Sequence, residues 1–290
     1  SSSHADAFVK AGRVFTNAMS TVLIYAMLIV MALVVLVPIV WIVGASFNPQ
    51  SSLLSATAFP ENPTISHYIK LIKETKFLAW YGNTLKIASI NMVLSVILTS
   101  TTAYVFSRFR FPGKKFGLLS ILILQMFPSF MGMMAMYNIL WQLNLLNTHF
   151  GLILTYAAGQ IPYNTWLVKG YLSNIPRSLD EAARLDGASN LRIFWQIIVP
   201  AIKPILGVIA LFAFRQAWNE FVTAQVFTMA NPGLKTLSVA VANLRYSANA
   251  AAEWHIMTAG ASIALLPILL VYLAANRQFI AGLTAGAVKG

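Results

Sequence analysis

Cysteine is absent from the 290 residues. That excludes disulfides, thiol catalysis and Cys-ligated metal, and leaves the redox compartment open. Charge is scarce too: only 10% of residues are Asp, Glu, Lys or Arg, against about a quarter in soluble domains. Acidic groups number eight against twenty basic ones. No G-x-x-x-x-G-K-[ST] run occurs, and Gly113-Lys114-Lys115 lacks both the upstream glycine and the following Ser or Thr. A P-loop is therefore missing, and with it ATP hydrolysis by this chain. The histidines, His4, His67, His149 and His255, form no metal pair at helical spacing, and no catalytic triad is suggested. No internal repeat or low-complexity linker divides the chain, so residues 1–290 read as a single transmembrane domain.

What is present is apolar: 58% hydrophobic residues and a mean hydropathy of +0.70. Spanning the hydrocarbon takes about 20 apolar residues as a helix. Six stretches fit, at Val22–Val43, Leu85–Phe106, Phe116–Leu140, Phe150–Leu172, Ala201–Phe227 and Ile256–Ala275. The first is too long for the h-region of a signal peptide and is expected to stay as a helix. The fold class is therefore all-α integral membrane, with six transmembrane helices. Asn91, Gln125, Pro128 and Gln160 interrupt the runs, which suits helices packed on protein.

Basic residues set the orientation. With the N-terminus inside, that side collects Lys10, Arg13, Arg108, Arg110, Lys114, Lys115, Lys169, Arg177, Arg184, Arg192, Lys203, Arg277 and Lys289. The outside keeps Lys70, Lys73, Lys76, Lys86, Lys235 and Arg245, and Arg215 falls within a helix. Thirteen against six predicts both termini in the cytoplasm, with residues 178–200 on the same side. Outside, residues 44–84 form the longest loop, with a short helix expected from Ser66 to Trp80.

The stretch SLDEAARLDGASNLRIFWQIIVP, residues 178–200, gathers Asp180, Glu181 and Asp186. Ser178 with Glu181 three residues on predicts a capping box, and Asp180 stands four before Arg184, an order that favours a helical ion pair. Gly187 can end that helix in a left-handed turn, and Ser189 can cap a second one. There Leu191, Phe194, Trp195 and Ile198 make an apolar stripe, and Pro200 closes it. Two short helices joined by a glycine elbow would present Ala182 and Ala183 to a partner. Spacing alone equally fits a plain connector.

Glu181-Ala182-Ala183, Gly187 after three more residues, then Ile197, Val199 and Pro200 resemble the EAA loop of permease subunits in bacterial ABC importers, E-A-A-x3-G-x9-I-x-L-P, with Val199 for Leu. Trp218-Asn219-Glu220-Phe221 and the tail Gly282-Leu283-Thr284-Ala285-Gly286 extend the resemblance to the MalG-type subunit of carbohydrate importers, over nearly the whole chain. It implies an inner-membrane permease that moves an oligosaccharide by alternating access. The implied partners are a second homologous permease, two ATPase subunits that bind ATP and Mg, a periplasmic solute-binding protein and the lipid bilayer, with no nucleic acid. The chain itself would hold no cofactor. Carried over, Glu181, Ala182, Ala183 and Gly187 are the ATPase-coupling residues.

Sugars are met by aromatic faces, amides and charges. The candidates for the substrate path are Gln125, Tyr137, Tyr156, Gln160, Tyr163, Asn164, Arg215, Asn219 and Glu220, with interhelical hydrogen bonding as the competing account for each. Glu220 and Arg215 stand out as ionisable groups inside a membrane run. Arg215 departs from the apolar or aromatic residue usual before the WNEF run in that family; it points either to an acidic sugar or to an ion pair with the second permease. The Met-rich Phe127–Met136 stretch suggests a gate that repacks, and lipid-facing or core packing fits it as well. In the outer segment, Asn243, Tyr246, Asn249 and Trp254 are candidates for contact with the binding protein. A permease for another small polar solute, a self-sufficient secondary transporter and a membrane enzyme are the alternatives. The secondary transporter lacks the usual repeat, and the enzyme lacks clustered His, Asp or Glu.

Overall fold

The structure, a computed structural model, describes residues 2–49, 57–126, 129–244 and 250–287, and no strand occurs among them. Its long helices are α1 (Ser2–Ser46), α3 (Phe77–Arg108), α6 (His149–Leu172), α10 (Lys203–Asn219) and α13 (Ala250–Ala287). Shorter ones are α2 (Ser66–Glu74), α4 (Lys114–Leu124), α5 (Ser129–Gln142), α7 (Ser178–Leu185), α8 (Asn190–Ile193), α9 (Val199–Ala201), α11 (Val222–Phe227) and α12 (Leu237–Leu244).

Among the described residues three segments are long and apolar enough to cross a membrane by length and composition, Met19–Ser46, Phe77–Arg108 and Trp254–Asn276, and a fourth if the bent pair Asn190–Ala201 and Lys203–Asn219 counts as one span. Two of the six expected spans are not continuous. Phe116–Leu140 divides into α4 and α5, with Gln125 and Met126 in a turn; Pro128, which has no N–H for a helical ladder, lies outside the described residues. Ala201–Phe227 breaks after Asn219, where Glu220 is extended at φ −67°, ψ 129°. The outer helix is also shorter than expected: α2 ends at Glu74, and the Thr75 hydroxyl accepts from the amide of Phe77.

α3 packs on both α6 and α10, and α13 closes against α10 and α1. Buried side chains form two clusters. One gathers Leu71, Phe77, Leu152, Tyr156, Phe214, Trp218 and Phe227. The other gathers Tyr104, Val168, Leu172, Ile193, Phe194, Ile198 and Ile209, and so ties the 178–200 segment to the bundle. Asn91, Ser95 and Thr99 recur every four residues along α3 and are all buried. Asn91 donates to the carbonyl of Ala213 at 2.9 Å, fixing α3 to α10 by an interhelical hydrogen bond.

Candidate functional site: an elbow and a polar ladder

The elbow forms as its glycine predicts. α7 ends at Leu185, and Gly187 adopts φ +79°, a left-handed conformation that costs a β-carbon about 1–2 kcal/mol. Its amide donates to the carbonyl of Arg184 at 3.0 Å, and Ala188 reaches back to Ala183 at 2.9 Å, closing the turn. Ser189 then caps α8 by accepting from the amide of Arg192. From Phe194 to Ile198 the helix widens into one π-helical turn. The chain bends by 81° between Asn190–Ala201 and Lys203–Asn219.

Several expected contacts of this segment are replaced. α7 starts at Ser178, but no side chain caps it, so the capping box with Glu181 does not form. Asp180 does not pair with Arg184. It is buried and forms an ion pair with Arg108 at 2.7 Å, the two side chains being 7% and 4% exposed. Arg108 also donates to the carbonyl of Ile175 at 3.1 Å, while Arg184 turns to the side-chain carbonyl of Asn190 at 3.2 Å. Burial decides the pairing: two charges taken out of water each need the other, because either one left alone there would be an uncompensated buried charge. Ala183 is buried in the second core cluster and faces the chain's own body, so it is not on a free face as expected. Glu181 and Ala182 are exposed, together with Leu179 and with Leu185, the latter 90% exposed. The predicted stripe also divides, with Phe194 and Ile198 buried and Leu191 and Trp195 exposed.

Within the bundle, α6 and α10 are joined by two rungs. The Tyr156 hydroxyl donates to Oε2 of Glu220 at 2.8 Å, and Gln160 Nε2 donates to Oε1 of Gln216 at 2.7 Å. The spacing is four residues on each helix in opposite directions, as antiparallel neighbours require. Glu220 does more than bridge. Its carboxylate accepts from the amides of Thr223 at 2.8 Å and Ala224 at 2.9 Å, capping α11. This helix-capping role corrects the reading of Glu220 as an ionisable group lining a continuous membrane helix, and it does not pair with Arg215. Tyr156 and Asn164 are buried within the subunit, and Glu220 is half-buried. Gln216, which sequence reasoning missed, could have been found from its i−4 relation to Glu220.

Trp218 is scaffold. It stacks on Phe214 with ring centroids 5.5 Å apart, meets Tyr81 edge-on, and donates from its indole to the carbonyl of Ala264 at 3.1 Å. Gln125, Tyr163, Arg215 and Asn219 remain exposed, Gln160 half-buried and Tyr137 packed at the edge of the first cluster. Arg215 and Asn219 share a face of α10 by their spacing, and Arg215 has no hydrogen-bond or ion-pair partner among the described residues. Of the outer candidates, Asn243 and Trp254 are half-buried, Trp254 lying against Trp41 with ring centroids 6.4 Å apart. Tyr246 and Asn249, like the tail Gly282–Gly286 as regards its side chains, lie outside what the structure describes.

Comparison with known proteins gives this arrangement a family. Residues 92–284 match the model of the binding-protein-dependent transport system inner membrane component. The galactooligosaccharides transport system permease protein GanQ of Bacillus subtilis (strain 168) is 40% identical over 269 residues, covering 92% of this chain and 94% of its own. The maltodextrin transport system permease protein MdxG of the same organism is 36% identical, covering 92% and 95%. Among solved structures, a chain of a bacterial ABC transporter involved in the import of the acidic polysaccharide alginate aligns with a TM-score of 0.78 at 24% identity, covering 91% of this chain and 98% of its own, a likeness of fold. With two thirds of its length under the family model and relatives of that identity along nearly its whole extent, this chain belongs to the inner-membrane permease components of binding-protein-dependent transport systems.

Proposed function

We propose that the chain is one of two permease subunits of an ATP-driven importer, and that its cargo is an oligosaccharide. The observation that carries the cargo class is the full-length similarity to permeases named for galactooligosaccharide and maltodextrin transport. The exposed groups of α6 and α10 suit such a cargo: Tyr163 offers a ring face and Asn219 an amide, while exposed Gln125 lies at the end of α4. Uptake of galactooligosaccharides and maltodextrins by the assembled importer tests this; transport of neither, with uptake of an unrelated polar solute, overturns it.

ATP is to be bound with Mg by separate ATPase subunits, since this chain has no P-loop. Their docking surface is the outer face of α7, where Glu181 supplies charge and Leu179, Ala182 and Leu185 supply apolar contact. Gly187 sets the angle of that face. Ala183 serves from beneath, as the small residue that lets α7 lie against the bundle. A periplasmic solute-binding protein delivers the cargo at the opposite end, near Asn243, Tyr246, Asn249 and Trp254.

Arg215 favours a second, narrower reading of the cargo. It stands about 18 Å along α10 from Lys203 at 1.5 Å per residue, and an unpaired Arg at that depth costs about 2.5 kcal/mol or more. An acidic sugar in the path would compensate it, and so would a carboxylate of the second permease. Arg215→Gln in the assembled importer separates the two. Selective loss of uptake of acidic over neutral oligosaccharides supports the path role; dissociation of the permease pair or equal loss of both substrates removes it.

A further inference from the structure

A cavity of about 780 Å³ opens where the C-terminal ends of α3 and α6 meet the start of α4. Arg108, Lys114, Lys115, Lys169 and Arg177 line it, and no carboxylate does. Arg108 is neutralised from behind by Asp180, which leaves four uncompensated cations. Three of them are held in place by contacts that spare their charge. Lys114 donates to the carbonyl of Phe109 at 2.9 Å, Arg177 to that of Ser107 at 3.2 Å, and the Lys169 ammonium sits 5.3 Å from the Trp166 ring centroid. Burial, and then the charges of Arg177, Lys169 and Arg110, push the Lys114 ammonium below its usual pKa.

The remaining wall is apolar. Phe106, Phe111 and Leu118 line the cavity, and Phe116 and Leu119 are exposed on the adjoining surface of α4, Phe116 by 77%. A basic hollow continuous with apolar surface, at the ends of helices that cross the bilayer, has the chemistry of a phospholipid seat: cations for the phosphate and aromatic walls for the acyl chains. The first turn of α4 adds to it, because Gly113 at φ +80° begins the helix and no side chain caps it. We propose that this cavity between α3, α4 and α6 binds the phosphate headgroup of an anionic phospholipid at the membrane boundary. A free phosphate shares the headgroup chemistry but has no use for the apolar wall, and an acidic segment of a protein partner would need no exposed Phe116.

The test uses the assembled importer, stripped of lipid in detergent and titrated with phosphatidylglycerol, phosphatidylcholine or inorganic phosphate, with retained lipid counted by mass spectrometry. Phosphatidylglycerol is expected to be retained at least about tenfold better than phosphatidylcholine, and the triple variant Lys114→Gln, Lys169→Gln, Arg177→Gln is expected to lose that preference. Lys114→Arg keeps the charge and should keep the lipid, and Lys70→Gln with Lys73→Gln on α2 should change nothing. If the triple variant does not assemble, Lys169→Gln alone is to show a partial loss. Equal retention by wild type and variant overturns the proposal. Displacement of the lipid by millimolar inorganic phosphate assigns the cavity to a free anion and also overturns it. Loss of an ATPase subunit with unchanged lipid retention assigns it to a protein partner and does the same. Neither sugar nor ATP enters the measurement, so its outcome is independent of the import reading.

Discussion

Glu220 is the residue whose role changes most between sequence and structure. In the sequence it is a lone carboxylate inside an apolar run; in the fold three donors converge on it, the Tyr156 hydroxyl and the amides of Thr223 and Ala224. No Gly or Pro marks the break at this point, so the 3.6-residue pattern runs through it unseen. The carboxylate itself makes the break tolerable by satisfying orphan amides of α11. A thermodynamic cycle tests the linkage. Glu220→Gln should destabilise by about 1–2 kcal/mol, the range of a lost cap, and Tyr156→Phe by about 1 kcal/mol. The two should couple by about 0.5 kcal/mol or more, read as thermal unfolding of the purified importer. Strict additivity would remove the rung. Gly187 is the opposite case, because a positive φ was legible from one glycine after a helix. Nothing lies within 4 Å of a β-carbon built there, so the cost of substitution is backbone strain alone. Gly187→Asn, which tolerates the left-handed region, should therefore keep most transport-coupled ATPase activity, while Gly187→Leu should lose most of it with normal assembly. Equal activity of the two variants would take the elbow out of the mechanism.

At the scale of elements, short helices on either end of the bundle are held by buried polar groups that periodicity cannot place. The sequence shows where α7 turns and where α8 begins, because Gly187 and Ser189 act locally. It does not show that Asp180 pairs with Arg108, since that contact depends on how α3 and the loop pack. Removing one partner of a buried pair costs about 3–5 kcal/mol, so Asp180→Ala should loosen α7 and speed tryptic cleavage after the exposed Arg184, whereas an apolar pair, Arg108→Met with Asp180→Leu, should restore much of the protection. Unchanged cleavage in Asp180→Ala would show that the pair does not anchor α7. α2 is fixed at the other end by two buried histidines. His67 bonds the carbonyl of Asn48 at 2.7 Å, His255 that of Ala45 at 2.8 Å, and their ring centroids lie 5.1 Å apart. Desolvation is the main cause that lowers the pKa of His67 from 6.5, against the opposing pull of the Asn48 carbonyl. The unfolded segment therefore binds a proton before the folded one does. Its contribution is complete above about pH 6.5 and is lost as pH falls toward the folded value. Hydrogen exchange in α2 should accelerate as pH is lowered from 7.5 to 5, after correction for the intrinsic rate, and His67→Gln should flatten that dependence; a wild-type profile already flat would refute it.

For the whole molecule, composition sufficed to read a helical membrane protein, but the packing of its first helix follows only from the structure. From Val22 to Val37 the large apolar side chains of α1 are all more than half exposed, and among its described side chains α1 is buried only near its C-terminal end, at Gly44, Ala45 and Ser46. Gly44 there approaches the backbone of Ala58 so closely that no β-carbon fits. A helix apolar on every side is stable only against lipid or other helices, so the described chain leaves a surface that suits the bilayer and the proposed second permease. Direction across the membrane follows from charge. The ends of α3 and α6, the start of α4 and the α7 elbow bring Arg108, Lys114, Lys169 and Arg177 to one end of the bundle, and by the positive-inside tendency we propose that this end is cytoplasmic. The absence of native cysteine makes this directly measurable. Ser178 and Asn62 are both exposed, so single substitutions Ser178→Cys and Asn62→Cys should each accept a thiol reagent once membranes are opened. In intact cells an impermeant maleimide should label Asn62→Cys and spare Ser178→Cys. The reverse pattern would put α7 outside, beyond the reach of any ATPase, and would overturn the proposed coupling along with the orientation.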